Sequence, residues 1–199
     1  MKRISLSLLF CATFFITGCK NNQGENDAVN QVDAEETSEM EQDNMESEEP
    51  QEITVDLDAK SGSDLSGTIT FTEEDGEVTM EGTITGLPEG THAIHIHEKA
   101  DCSAEDGTSA GGHWNPTNEP HGEWGDEEGY HRGDIGNFEV DSDGEGTVTF
   151  STDQWCIGCD DPQKNIVGKA VVVHDGVDDY TSQPSGDAGT RVGCGEITM

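Results

Sequence analysis

Two segments, Gly67-Thr68-Ile69-Thr70-Phe71 and Val78-Thr79-Met80-Glu81-Gly82-Thr83-Ile84, decide the fold. In each, apolar side chains alternate with Thr, Glu or Gly, and a period of two places Ile69 and Phe71, or Val78, Met80 and Ile84, on one face of an extended strand. Glu74-Asp75-Gly76 between them is a turn signal. Working outward, the same pattern recurs in Ile53-Thr54-Val55-Asp56-Leu57 and Ala93-Ile94-His95-Ile96-His97, then in Asn137 to Val140, Gly146 to Phe150, Val167 to Val173 and Gly195 to Thr198. No segment of ten residues or more reads as an amphipathic helix. Eight short strands separated by Gly, Asp and Asn predict an all-β sandwich or barrel. Lys99 to Gly133 and Asp175 to Val192 do not fit as strands, and connections of that length usually carry function. The chemistry is therefore expected on two long loops over a rigid sheet.

The N-terminal quarter has another character. Met1-Lys2-Arg3 is basic and Ile4 to Ile16 is apolar but too short to span a bilayer, which reads as an export signal. It ends in Ile16-Thr17-Gly18-Cys19, which resembles the bacterial lipoprotein box, in which the cysteine is lipidated and becomes the new N-terminus. From Lys20 to Glu52 twelve acids face one base, and large apolar residues are nearly absent. Such a segment cannot bury enough surface to offset its ordering entropy. The expected organisation is a signal peptide at 1–18, a lipidated Cys19 with an acidic disordered tether at 19–52, and a folded domain at 53–199. That places the protein in the cell envelope, periplasm or cell surface, anchored by lipid to a bacterial membrane.

The whole chain carries 43 acids against 9 bases, a net charge of -34. A polyanionic partner such as nucleic acid is thereby excluded. Export implies an oxidising compartment, where Cys102, Cys156, Cys159 and Cys194 would form two disulfides, with three pairings open. Cys11 lies within the signal.

All seven histidines fall in the predicted domain. His95 and His97 are two apart on a strand, so both rings leave one face as a ready chelate for copper or zinc. The segments His95-Ile96-His97-Glu98, Gly112-His113-Trp114-Asn115-Pro116, Pro120-His121-Gly122, His131-Arg132-Gly133-Asp134-Ile135-Gly136-Asn137, Val173-His174 and Gly189-Thr190-Arg191-Val192-Gly193-Cys194-Gly195 match, in order, the motifs of copper/zinc superoxide dismutases. The likeness extends from about Ile53 to Met199.

This resemblance implies a Greek-key β-barrel and a superoxide dismutase that converts superoxide to dioxygen and hydrogen peroxide, with one copper and one zinc per subunit. Carried over residue by residue, it makes His95, His97, His113 and His174 the copper ligands. His113, His121, His131 and Asp134 become the zinc ligands, with His113 bridging the two metals. Three imidazoles with one carboxylate suit a closed structural zinc site, and four nitrogens suit Cu(II). Arg191 becomes the residue that holds the substrate anion, and Asp178 a carboxylate linking a copper-site to a zinc-site histidine. His92 reads as a framework histidine.

The same resemblance pairs Cys102 with Cys194. Cys156-Ile157-Gly158-Cys159 lies outside the family motifs and reads as a local disulfide, with metal binding or redox activity as alternatives. Because the domain is acidic, Lys99 and Arg191 are expected to form a local positive funnel for the anion. A homodimer is left open, since bacterial relatives differ in their dimer surface. The alternative function is a non-catalytic copper- and zinc-binding domain of dismutase-like fold.

Overall fold

The structure is a computed structural model that describes residues 50–199. The signal segment, Cys19 and the tether up to residue 49 lie outside the described residues.

Eight strands form a closed antiparallel barrel: β1 (Gln51–Ala59), β2 (Ser66–Glu74), β3 (Glu77–Thr85), β4 (Gly90–His97), β5 (Gly136–Val140), β6 (Glu145–Thr152), β7 (Ala170–His174) and β8 (Arg191–Glu196). Their order around the barrel is β1-β2-β3-β6-β5-β4-β7-β8. The neighbours β3/β6 and β4/β7 are not consecutive in sequence, which makes the topology a Greek key and leaves no open sheet edge. The expected eight-stranded Greek-key barrel is therefore the observed fold.

Alternation works as the sequence reads it. Ile53, Val55 and Leu57 of β1, Ile69 and Phe71 of β2, and Val78, Met80 and Ile84 of β3 are buried in one apolar cluster. Asp56, Asp58 and Glu81 of the same strands face outward into solvent. Glu74 pairs with Glu77, leaving Asp75-Gly76 as a two-residue hairpin loop with φ of 52° and 79°. Positive φ at both positions is the turn geometry that matches strand twist, and Asp-Gly supplies it cheaply.

One side of the barrel departs from alternation. From His92 to His97, and throughout β7, every residue is buried. Ile94, Ile96, Val171 and Val173 fill the barrel, while Ala170, Val172 and Cys194 form a second apolar cluster with Cys102 and Ala110 of the β4–β5 loop. The β4/β7 register sets His95 opposite Val172 and His97 opposite Ala170, so both histidines stand on this covered outer face.

Strands β1 to β6 extend beyond the expected segments by one to three residues, as at β4, which starts at Gly90 and not Ala93, whereas β7 and β8 are displaced. β1 starts two residues earlier, at Gln51. β7 starts at Ala170 and not Val167, because Gly168 adopts φ 84° and Lys169 closes a turn onto Ile166. β8 runs from Arg191 to Glu196, displaced from the expected Gly195 to Thr198. Gly193 lies outside the expected strand and Gly195 at its start, and both are close-approach points. A Cβ on Gly193 would lie 2.7 Å from Leu65, and one on Gly195 would lie 2.7 Å from the Asp56 carbonyl oxygen. Only glycine lets β8 pack this tightly against β1 and the turn that follows it.

Candidate metal centre

The β4–β5 loop returns its histidines to β4 by backbone pairing. Trp114 N–H donates to Ile96 O at 2.8 Å, Ile96 N–H donates to Gly133 O at 2.9 Å, and His113 bridges to His97. A Cβ on Gly133 would collide with the Ile96 carbonyl oxygen, so that position in the His131-Arg132-Gly133-Asp134 motif requires glycine. Tryptophan side chains hold the same loop down from its far side. Trp155 donates Nε1–H to Arg132 O at 2.8 Å, and Trp124 packs on Phe150 and Tyr130 at centroid distances of 4.8 Å.

The result is two adjoining tetrads. His95, His97, His113 and His174 form one, and His113, His121, His131 and Asp134 the other, with the candidate ligand atoms of each within 4.8 Å of one another. All of these residues are buried.

Hydrogen bonding fixes which nitrogen of each ring faces inward. His97 Nδ1 lies 3.0 Å from Gly111 O and His174 Nδ1 lies 3.4 Å from Gly189 O, so both turn Nε2 toward the tetrad. Asp178 accepts from His95 Nε2 at 2.7 Å and from His121 Nε2 at 2.9 Å, turning their Nδ1 atoms inward. His113 Nδ1 lies 2.8 Å from Asp134 Oδ1, and its Nε2 faces the other tetrad. One buried nitrogen on each of His95, His97, His113 and His174 has no hydrogen-bond partner, while the buried Nδ1 atoms of His121 and His131 stand 3.0 and 3.2 Å from the Asp134 carboxylate. Buried nitrogens are not left this way by accident, because each orphan costs about 1–3 kcal/mol. Electron-pair donors converging from six rings fit metal ions: four nitrogens in one set, three nitrogens and a carboxylate oxygen in the other.

The electrostatics agree. Burial, reinforced by neighbouring histidines, pulls His113 down to about 4 although Asp134 opposes it, and pulls His174 down to about 3. His97 is held well below the usual histidine range by the same causes. These rings are thus neutral at physiological pH, the state a metal needs. Burial works against the charged forms of Asp134 and Asp178, yet hydrogen bonds from the histidines around them keep both well below the usual carboxylate range. His121 goes the other way: burial is outweighed by Asp134 and Asp178, which raise it to about 9. The two carboxylates favour positive charge at His121, and a dication held by this tetrad would supply it without a proton.

Arg191 stands half-buried at the start of β8, with Nη1–H donating to Gly107 O at 2.8 Å. Burial lowers its pKa, against the pull of Asp106. Cys102 and Cys194 are joined, Cα–Cα 5.8 Å, which ties the β4–β5 loop to the strand bearing Arg191. Cys156 and Cys159 form the second disulfide. Between them Ile157 is buried in the main core and its N–H donates to Glu73 Oε2 at 2.6 Å. His92 lies within hydrogen-bond distance of the backbone carbonyls of Pro88 and His174 and packs against Phe138 with ring centroids 6.1 Å apart.

The sequence profile described as copper/zinc superoxide dismutase (SODC) matches residues 65–197. The chain belongs to the copper/zinc superoxide dismutase family. This dismutase-family chain is 35% identical over 144 residues to an extracellular Cu-Zn superoxide dismutase of Caenorhabditis elegans, covering 69% of this chain and 63% of that protein. It therefore spans less than two thirds of that relative. It is 36% identical over 146 residues to superoxide dismutase (Cu-Zn) 5 of Dictyostelium discoideum, covering 69% of this chain and 93% of the relative. Among solved structures, the clock protein EA4 matches at 36% identity and TM-score 0.65, over 75% of this chain and 94% of that one. A double mutant of a SOD-like protein from Bacillus subtilis matches at 34% identity and TM-score 0.66, over 73% and 97%. Family membership and the two tetrads together identify copper and zinc as the metals of this superoxide dismutase fold.

Some residues that shape the dismutase site escaped the sequence reading. Asn137 clamps Asp178, accepting from its N–H at 2.8 Å and donating to its carbonyl at 2.9 Å. It lies inside a quoted motif, but nothing local marks its partner 41 residues away. Lys99 is exposed, with Nζ 3.5 Å from Glu98 Oε1.

Proposed function

We propose that this chain is an exported superoxide dismutase whose copper site is His95, His97, His113 and His174 and whose zinc site is His113, His121, His131 and Asp134. The observation that carries this reading is His113, a single buried ring presenting one nitrogen to each tetrad. When bound, copper supplies one-electron redox chemistry and zinc a fixed positive charge beside it.

The chain's own residues supply the rest. Arg191 offers a planar fork of N–H donors for the superoxide anion, held in place from Gly107. His113 Nε2 is the atom at which the protein can hold a proton for the product, since two superoxide ions require two protons to give dioxygen and hydrogen peroxide. Asp178, gripped by Asn137, keeps His95 and His121 oriented together. His97 and His174 are fixed through backbone carbonyls, so the set is organised before substrate arrives. Cys102–Cys194 keeps Arg191 in register with the loop.

The extracellular relative and the two disulfides fit an exported protein. Residues 1–18 would be the signal peptide, Cys19 the lipidated anchor to a bacterial membrane, 19–52 the tether and 53–199 the enzyme, as a monomer or homodimer in the cell envelope. The reading is tested by metal analysis of the purified chain followed by superoxide consumption of the wild type, His97→Ala and Arg191→Ala. Full activity after losing His97 would overturn it. Intact mass of the membrane-extracted protein tests the lipid on Cys19.

A further inference from the structure

We infer that Asp175, the residue after His174, is a positioning residue: its carboxylate holds the segment 189–191 so that the His174 ring and Arg191 keep a fixed relation. This rests on the dismutase reading above.

The pairing of β7 with β8 shifts register between Val173 and His174. Val173 stands opposite Gly193, but His174 stands opposite Arg191, so Val192 is the extra residue of a β-bulge. Directly opposed residues of an antiparallel pair share a face, and the bulge therefore brings Arg191 to the face that carries His174. Past the bulge the two strands have ended, and Asp175 and Gly176 carry the pairing on. Asp175 N–H donates to Thr190 O and Gly176 N–H to Ala188 O, both at 2.9 Å. In return Thr190 N–H donates to the Asp175 carboxylate, at Oδ1, at 2.5 Å. Main chain and side chain of Asp175 thus both grip the residue that precedes Arg191.

Gly189 is held in the same grip. It lies between the residues bonded to Asp175 and Gly176, with φ 84°, and its carbonyl oxygen is the one that stands 3.4 Å from His174 Nδ1. A Cβ on Gly189 would collide with Asp175 Oδ1, so the carboxylate packs directly against this glycine. One oxygen therefore touches Gly189, whose carbonyl orients the His174 ring, and accepts from Thr190, whose neighbour is Arg191. Moving that oxygen would loosen both at once. Asp175 is exposed and belongs to neither tetrad, so core packing and metal ligation do not account for its carboxylate, whereas the bond to Thr190 does.

The test compares Asp175→Asn and Asp175→Ala with wild type, each copper- and zinc-loaded. Both variants lose the same charge, but Asn keeps an oxygen able to accept from Thr190 N–H, so the difference between them isolates the hydrogen bond. Two quantities are read across ionic strength: exchange of the Thr190 amide hydrogen in the reduced, diamagnetic protein, and azide affinity from the visible absorption of oxidised copper. Losing one hydrogen bond corresponds to a factor of roughly five. Thr190 should exchange about that much faster in Asp175→Ala than in Asp175→Asn, and azide should bind Asp175→Ala roughly two- to fivefold more weakly than Asp175→Asn. The gap should persist at high salt, because screening removes charge effects and not a hydrogen bond. The rate of superoxide consumption should follow azide affinity. Equal azide affinity in Asp175→Asn and Asp175→Ala overturns the inference even where Thr190 exchange differs, since the bond would then serve the loop alone. A wild-type chain that binds azide but consumes no superoxide would defeat the proposed reaction, while the comparison of Asn with Ala would still judge Asp175.

Discussion

Removing Cys102–Cys194 by the double substitution Cys102→Ala/Cys194→Ala should destabilise the domain far more than removing Cys156–Cys159 in the same way. The two bridges close loops of very different size, 92 residues apart against 3. In the chain-entropy treatment the first restricts the unfolded state by about 4 to 5 kcal/mol and the second by about 2 kcal/mol. Against a typical domain stability of about 5–15 kcal/mol, the larger figure approaches the limit of folding. The assay is urea unfolding with linear extrapolation, carried out in excess EDTA so that metal binding to the folded state does not enter the comparison. Losing Cys102–Cys194 should lower the midpoint roughly twice as much as losing Cys156–Cys159. Burial could upset this order, because Cys194 is fully buried and Ile157 between the other two cysteines is 2% exposed. Equal losses, or a larger loss for the short bridge, would refute the entropic reasoning and show that packing of Ile157 against the barrel end dominates.

Three further outcomes are expected. Asp178→Asn keeps the shape but removes the charge shared by His95 and His121, and should weaken zinc and copper binding roughly 10- to 100-fold in chelator competition; unchanged affinities would remove Asp178 from the site. In the EDTA-treated protein, stability should peak near the ordinary histidine pKa. His113 and His174 titrate at about 4 and about 3 when folded, so their contribution is full above pH 6.5 and is lost as pH falls toward 3. His121, raised to about 9, contributes fully below pH 6.5 and loses that contribution as pH rises through 9. A urea midpoint that stays flat from pH 4 to 9 would contradict both assignments. Finally, added sodium chloride should raise the urea midpoint, since self-repulsion among the acids favours the unfolded chain; a midpoint indifferent to salt would show that the acidic shell costs the fold nothing.

The barrel was legible because strand alternation is a local signal. Ile69, Phe71, Val78 and Met80 declare their face within a few residues, and Asp75-Gly76 declares the turn that joins them. His95 and His97 could be placed on one face by the same rule. Their convergence with His174 was not local: it depends on β4 pairing with β7 in a register that sets His95 beside Val172. The sequence indicated it only through motifs resembling those of a known family.

What sequence alone misread came from contacts between distant segments. Gly193 falls outside the expected last strand, yet it pairs with Val173 and Ala59 within β8 and approaches Leu65. Lys99 and Lys60 are equivalent lysines in sequence, yet one lies against its neighbouring Glu98 and the other reaches the carbonyl of Cys102, 42 residues on. Sequence by itself determined the strands, the turn residues and the set of side chains able to hold two metals, because those follow from periodicity and chemistry. The closed Greek-key barrel decided which nitrogen each histidine points inward and which carboxylate locks it. Those depend on hydrogen bonds of 2.7 to 3.4 Å that exist only once residues 14 to 83 positions apart have been brought together.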